Sequence, residues 1–541
     1  MISKIYCIRC ILIKLKFVLI ITTLFLKFSS LTSFYKMTTL LPLKTLPPIS
    51  RPTLITTAIS YANGSPHVGH LYECYLGDVT KRILVVRGDD VKLLSGSDEH
   101  GKKIQQAAES AQITPRELCD INSDKFKRLH DTLGVSCDRF IRTAADADHR
   151  ALVQDSLLRS QGAFDIYKDA YKGFYNVREE TFVSETDAAL TDFKDPVNQV
   201  PYEIVEQEAY LFLLSKYQDK IKDICEKTVV QKKALLASVQ DRLDDLKDLC
   251  ITRPKTDFTW GIDFVLDDNH IVYVWFDALL NYITGRNSLF PSIDDVDTIH
   301  VIGKDIVWFH AVIYPAILES CGYPLFNTIL VHGHVVDEKG QKLSKSLGNV
   351  IDPNELFAAY PVDAVRFYFF LEHNHNGDDL KFSRERLVLL HNTVLINQFG
   401  NLFQRVYKIV NGVVDLINAA NGDGDETCRC VISECVDAFK NDGYNLNKYR
   451  DTVFSLVQNV NAFISNERVW EKNAEGLPKV PELAKCIRDL YVILFLLKPV
   501  IPDKIEFLAL QFGWKLDNVY NSSCKIVDYK LNKKFRAFSH I

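Results

Sequence analysis

The chain has 541 residues, of which 47% are hydrophobic and 25% charged, with a formal net charge of −5. The length allows about three to four domains, and the composition is that of an ordinary globular protein. The mild negative charge excludes a uniformly basic nucleic-acid binder, so any polyanion must be met by a local basic patch.

The first segment stands apart. Met1 to Tyr72 contains no Asp or Glu, while Lys4, Arg9, Lys14, Lys16, Lys27, Lys36 and Lys44 punctuate it. Its apolar run "FVLIITTLFL" is shorter than the roughly 20 residues that a membrane span needs. Residues 1–50 read as a signal-type or organelle-targeting segment. The mitochondrial matrix is the expected destination and a plastid the alternative; initiation at Met37 would give a cytoplasmic form. No later segment is long and apolar enough to span a bilayer.

"PTLITTAISYA" (52–62) is β-branched, is bounded by Pro52 and Asn63-Gly64, and predicts a buried strand. A helix is predicted over 67–87, ending before Gly88. "DDVKLLSGSDEHG" predicts a second strand with a polar turn, and "GKKIQQAAESAQI" a second helix. This alternation predicts a parallel α/β sheet. Residues 141–205 interrupt it with short aromatic and charged runs, the pattern of a small β insertion. Helical pattern returns over 206–247. Alternation resumes in "HIVYVWFDALLNYI", "DTIHVIGKDIVWFHAVIYPAIL" and "NTILVHGHVV". From about residue 386, amphipathic helices separated by "NGDGDE" and "NAEGLPKVPE" predict an all-α half. The thirteen cysteines are scattered, with no pair of CxxC knuckles, which argues for buried reduced thiols rather than a zinc site.

Two short motifs carry chemistry. "HVGH" (67–70) stands where the first strand hands over to the first helix. Parallel sheets bind ligands at the carboxyl ends of their strands, and helix N-termini suit phosphates. Gly69 permits close approach of backbone and ligand, and His67 and His70 can donate to phosphate oxygens. Alone, the four residues are equally well read as a chance capping of a loop. "KLSKSLGN" (342–349) places Lys342 and Lys345 three apart in a loop that can close over a triphosphate and neutralise a leaving pyrophosphate. Its competing reading is a solvated lysine turn. Both motifs on one chain, each at a strand end, favour an ATP site.

At this point the chain resembles a known family. HVGH and KLSKS look like the two signatures of class I aminoacyl-tRNA synthetases. "TTAISYANGSPHVGH", "GSDEHGKKI", "VYVWFDALLNYITG", "HVIGKDIVWFHAVIYPAIL" and "LVHGHVVDEKGQKLSKSLGNVIDP" narrow the resemblance to the methionyl members, over roughly residues 52–480. The resemblance implies a Rossmann-type catalytic domain in two halves (51–140 and 251–335) around a connective insertion (141–250). A KLSKS and stem-contact region (336–385) and a helical anticodon-binding domain (386–541) would follow. It implies a methionine pocket of Ala58, Ile59, Tyr61, Asp98, Arg253, Trp275, Ala278, Tyr282, Ile306 and His310. Aromatic walls suit a polarizable thioether, Asp98 would pair with the ammonium, and Tyr61 and His310 offer polar tips to the sulfur. ATP, as its Mg2+ complex, would be held by His67, His70, Gly303, Asp305, Val336, Lys342 and Lys345, with Asp305 accepting from ribose hydroxyls. The catalytic set is His67, His70, Lys342 and Lys345. The tRNA(Met) anticodon would be read by Asn401 and Arg405, one turn apart on a helix, and by Trp470, suited to stacking. Core packing is the competing reading for Trp275 and Trp470, and a solvated helix face for Arg405.

The chain departs from the family pattern in places. "FDIYKDAYKGFYNVREETFVSETD" has no cysteine where many members carry a zinc knuckle. A zinc-free type is expected, its knuckle held by packing of Tyr171, Phe174 and Tyr175. Leu279 and Ser60 also differ from some members. With no appended module recognisable after the helical half, a monomer is expected. A leucine, isoleucine or valine synthetase would need a larger editing insertion. A non-catalytic RNA-binding paralogue would have no reason to keep both phosphate motifs, and a small nucleotidyltransferase would lack the helical half.

Overall fold

The computed structural model describes residues 51–541 except 177–180, 184, 196–198, 245, 294, 344–347, 423, 521, 528, 530–531 and 533–534. The targeting segment and Lys345 lie outside the described residues. In chain order the first half begins with β1 (Thr53–Thr57), β2 (Ser60–Tyr61), α1 (Val68–Val86), β3 (Val91–Asp98), α2 (Lys102–Ser110), α3 (Pro115–Leu133), β4 (Arg139–Arg142) and α4 (Ala147–Gly162). The insertion contributes β5 (Ile166–Asn176), β6 (Thr181–Val183), β7 (Glu203–Phe212), α5 (Gln218–Thr228), α6 (Lys232–Leu243) and β8 (Leu249–Cys250). Then come β9 (Thr252–Pro254), β10 (His270–Val272), α7 (Val274–Leu279), α8 (Asn281–Leu289), β11 (Asp297–Gly303), α9 (Tyr314–Cys321), β12 (Thr328–His332) and β13 (Val335–Val336).

The main sheet runs β12-β11-β1-β3, with β2 and β4 also against β3, and every pairing is parallel. All five residues of β1, "TLITT", are buried, as expected of a β-branched strand covered on both faces. The chain leaves β1 for β3 on one side, while β11 pairs on the other. The carboxyl end of β1 is therefore the switch point of the sheet, where α/β folds form their crevice.

The insertion differs from expectation in one element. Residues 206–212 are the second half of β7, not the start of a helix. β7 pairs antiparallel with β5 along its whole length, from Ile166 against Phe212 to Tyr175 against Glu203. The partner strand lies some forty residues earlier, and cross-strand packing of this kind overrides local propensity. The helical stretch begins only at α5.

After β13 come α10 (Pro353–Ala359), α11 (Val362–Glu372), β14 (Leu380–Lys381) and α12 (Arg384–Leu390). A π-helical stretch (His391–Gly400) runs directly into α13 (Asn401–Ile409), followed by α14 (Val414–Asn421), α15 (Gly424–Asn441), α16 (Leu446–Glu467), α17 (Val480–Leu497) and α18 (Pro502–Ala509). The last two turns of α17, Leu490 to Leu497, are apolar and buried all round, and the helix packs against α13, α14, α15 and α16 as the centre of the bundle. Among the described residues no helix is long and apolar enough to cross a membrane.

One buried side chain joins the halves. Arg366 of α11 has no solvent exposure. It donates to Asp78 Oδ2 of α1 (2.7 Å), Val500 O (2.8 Å), Pro499 O (2.9 Å) and Leu133 O (3.2 Å). Asp78 also receives Arg82 Nε and the Ser136 amide. Burial opposes its charge, but Arg366 and Arg82 hold its carboxyl below the usual range.

Candidate active site

The first wall of the site comes from a register change. Thr56 pairs with Leu94 but Ser60 pairs with Ser97, so the first strand holds one extra residue at Ala58–Ile59. Such a bulge bends the strand and re-aims its side chains. Ala58, Ile59 and Tyr61 are all half-buried, and Tyr61 lies in register beside Asp98.

Six residues further on, His67 caps α1. Its Nδ1 accepts from the Gly69 amide (3.0 Å), and His70 Nδ1 accepts from the His67 amide (3.1 Å). The two rings lie 3.9 Å apart. Burial first, and His67 second, push the His70 pKa well below its usual value, so this ring is neutral. With Nδ1 accepting, its proton sits on Nε2; the same geometry puts the proton of a neutral His67 there too. Gly69 has a role within the cap itself. A Cβ there would sit 2.8 Å from His67 Cε1, so the glycine makes room for the His67 ring to fold back as a cap.

The second motif reaches the same place. The Val68 amide, first in α1, donates to Ile351 O (3.0 Å), tying the end of the KLSKS loop to the start of the HVGH helix. Lys342 pairs with Val336 of β13, which is buried, and its Nζ is 4.0 Å from Asp305 Oδ2. Asp305 Oδ1 is 3.2 Å from His334 Nε2. Burial opposes its charge, but His334 and Lys342 hold the carboxyl far below the usual range. Gly303 ends β11; a Cβ there would lie 2.7 Å from Asp305 Oδ1. Asp305, expected to meet ribose hydroxyls, thus faces a lysine and a histidine.

The opposite wall is aromatic. Trp275 of α7 is half-buried and stacks on Phe309 at 3.6 Å with the rings 8° apart. Phe309 and His310 lie on a π-helical turn, Phe309–Ile313, a distortion common at functional sites. His310 Nδ1 is 3.0 Å from Ile306 O and its Nε2 is 2.7 Å from the Tyr282 hydroxyl. A carbonyl only accepts, so Nδ1 carries the proton and Tyr282 donates to Nε2. Burial lowers the His310 pKa to about 4 and keeps it neutral. With both nitrogens engaged, His310 holds Tyr282 rather than offering a polar tip to sulfur. Burial first, and the nearby carboxylate of Glu73 second, push the Tyr282 pKa well above its usual value. Ala278 is buried on the same helix as Trp275. Arg253 lies on β9 with its guanidinium over Tyr273 (4.4 Å) and Tyr175 (5.3 Å), at the seam with the insertion. There it donates to Thr252 O (2.6 Å).

Far along the chain, two of the three anticodon candidates meet, and the third lies one turn away. Arg405 donates to Ser465 Oγ (3.1 Å) and Asn461 Oδ1 (3.4 Å) of α16, with its guanidinium 5.7 Å from the Trp470 ring. Trp470 is 46% exposed, which rules out core packing. Asn401, exposed one turn before Arg405, donates to Asn397 O.

Sequence reasoning missed Phe309, the Glu73–His332 pair (3.2 Å) and the contact through Ile351. An aromatic next to His310 was a legible signal for the first; the others are long-range pairings without a local pattern.

Known proteins fit this geometry. The sequence profile of the family described as "tRNA synthetases class I (M)" matches residues 53–192 and 187–407. A methionine–tRNA ligase of Deinococcus radiodurans is 37% identical over 500 residues, covering 86% of this chain and 70% of that one. One from Rickettsia felis is 34% identical over 509 residues, covering 90% and 94%. A solved structure of Mycobacterium tuberculosis methionyl-tRNA synthetase in complex with methionyl-adenylate superposes with a TM-score of 0.73 at 32% identity, covering 86% of this chain and 94% of that one. The profile spans most of the catalytic half and the relatives nearly the whole described chain: this protein belongs to the methionyl family of class I aminoacyl-tRNA synthetases.

Proposed function

We propose that the chain is a methionine–tRNA ligase: it activates L-methionine with ATP to methionyl-adenylate and pyrophosphate, then transfers methionine to the 3′ end of tRNA(Met). The observation that supports the reading is the grouping just past β1 of Tyr61 beside the Asp98 carboxylate and two imidazoles at a helix N-terminus, with the stacked Trp275–Phe309 pair tied to the Asp98 turn through His100 and Asp277.

Methionine sits with its ammonium on Asp98 and its thioether among Tyr61, Trp275, Ala278 and Tyr282. Its carboxylate oxygen attacks the α-phosphorus of ATP; the new O–P bond forms as the bond to the β-phosphate oxygen breaks. His67 and His70 offer Nε2–H donors to the phosphates, and Lys342 with Lys345 neutralises the departing pyrophosphate. The ribose hydroxyl of the tRNA end then attacks the acyl carbonyl and AMP leaves. Positioning and charge stabilisation suffice, with no covalent enzyme intermediate. Mg2+ enters bound to ATP. Asn401, Arg405 and Trp470 meet the anticodon loop, the tryptophan as a stacking plane.

ATP–pyrophosphate exchange with each of the twenty amino acids tests this. Exchange with methionine is expected to exceed that with every other amino acid; none with methionine, or faster exchange with another, sinks the reading. Two finer readings go with it. The insertion works without zinc, supported by its lack of cysteine between residues 141 and 224. The protein acts in an organelle, most simply the mitochondrial matrix, supported by the basic, acid-free N-terminal segment.

A further inference from the structure

Beneath the pocket lies a polar network that the reaction does not use. Asp277 of α7 is buried, two residues after Trp275 and one before Ala278. Its Oδ2 is 2.7 Å from His100 Nδ1 and its Oδ1 is 2.7 Å from His149 Nε2. Both imidazoles are buried as well. A carboxylate only accepts, so each histidine puts an N–H on it. His149 Nδ1 is 3.0 Å from Thr284 Oγ1 of α8, the helix that carries Tyr282.

The stretch "SDEHG" (97–101) explains the arrangement. Glu99 is fully buried and accepts from Ser97, Ser123 and Arg142 (2.8, 2.6 and 2.5 Å), fixing the turn to α3 and β4. His100 points the other way, to Asp277. Asp98, between Ser97 and Glu99, stays beside Tyr61. The Asp98 wall and the Trp275–Ala278 wall are thus joined through a single carboxylate, and His149 at the start of α4 braces it from a third element. These contacts are buried and charge-assisted, the kind that hold a geometry within about half an ångström.

The geometry points to Asp277 as a positioning residue: it sets the distance between the ammonium partner and the far wall of the pocket, and so the length of side chain the enzyme activates. This rests on reading that pocket as the methionine site. An asparagine keeps the shape but replaces only one of the two acceptors, unless one imidazole changes tautomer.

The test is exchange kinetics on the full chain for Asp277→Asn and His149→Gln, with methionine and with ethionine, which is one methylene longer. In Asp277→Asn the KM for methionine is expected to rise about tenfold while the KM for ATP stays within about twofold, as for a misplaced wall away from the reacting atoms. The preference for methionine over ethionine is expected to fall about fivefold, within what one methylene is worth. His149→Gln moves both in the same direction by less, and carries the test if Asp277→Asn does not fold. Unchanged methionine KM and preference, or equal rises for methionine and ATP, would overturn the proposal. Trp275→Ala separates the premises: if it leaves the methionine KM unchanged, the pocket reading itself fails.

Discussion

Several histidines of this protein are held neutral by where they sit. Burial lowers the pKa of His130 and His310 to about 4 each, and pushes His70, His300 and His373 well below the usual value. In the unfolded chain all five titrate near about 6.5. Between those limits the unfolded state binds more protons, so folding stability falls as pH drops from 6.5 towards 4. His332, whose pKa Glu73 raises against the effect of burial, works the other way but is one group against seven, since burial also lowers His375 and His391. Asp277 responds at lower pH. Burial opposes its charge, the two histidines depress its pKa to about 2, and its contribution is lost only as pH falls from the unfolded value of about 3.9 through that range. Guanidinium unfolding midpoints are therefore expected to be lower at pH 5 than at pH 7. A midpoint that is flat or higher at pH 5 would contradict neutral burial of these rings.

Among the elements, two departures from regular geometry carry site residues. The extra residue at Ala58–Ile59 turns the end of the first strand towards the pocket. The π-helical turn at Phe309–Ile313 puts Phe309 on Trp275 and His310 on Tyr282. A second π-helical stretch leads into α13, where Arg405 meets Trp470 from beyond α16 and Asn401 is exposed one turn earlier. Stacking of a base on an aromatic plane is worth roughly 1–3 kcal/mol, or about 5- to 150-fold. Trp470→Ala is expected to lower kcat/KM for tRNA charging within that range and to leave methionine-dependent exchange within about twofold. Equal losses in both assays would make Trp470 a structural residue of the bundle.

For the whole molecule, the junction at Arg366 is the main physical link between the HVGH helix and the helical bundle. α1 is gripped at three further places: at Ile351 at its start, at Asp437 through Arg87 just after its end, and by the Val519 amide on Val86 O. A helix that presents His67 and His70 is thereby held by the same bundle that presents Trp470. Within the insertion, buried Asn176 donates to Asp195 (3.0 Å) and Phe174 packs on Phe193 (5.0 Å), contacts that need no metal. Native mass spectrometry of the protein purified from its own cells addresses both finer readings together. A chain shortened to begin near residue 50, with no bound zinc, is expected. One tightly bound zinc per chain would refute the zinc-free reading, and an N-terminus at Met37 would favour the cytoplasmic form over the organelle.

Much of this protein was legible in one dimension because its chemistry is local. HVGH lies at a strand-to-helix handover, KLSKS at a strand end, and Arg405 lies one turn after Asn401; each depends on spacing within a few residues. The alternation of strands and helices likewise announced a parallel sheet. What sequence could not supply were relations between residues far apart. Only the fold decided that 206–212 is a strand, because its partner is β5, and that Gly69 makes room for the His67 ring. It alone showed that His310 is already occupied by Tyr282, and that Asp277, within an apolar-looking helix, meets histidines 177 and 128 residues away. Sequence patterns report periodicity and local bonding; the spacing of a pocket's walls is set by long-range contacts that leave no period behind.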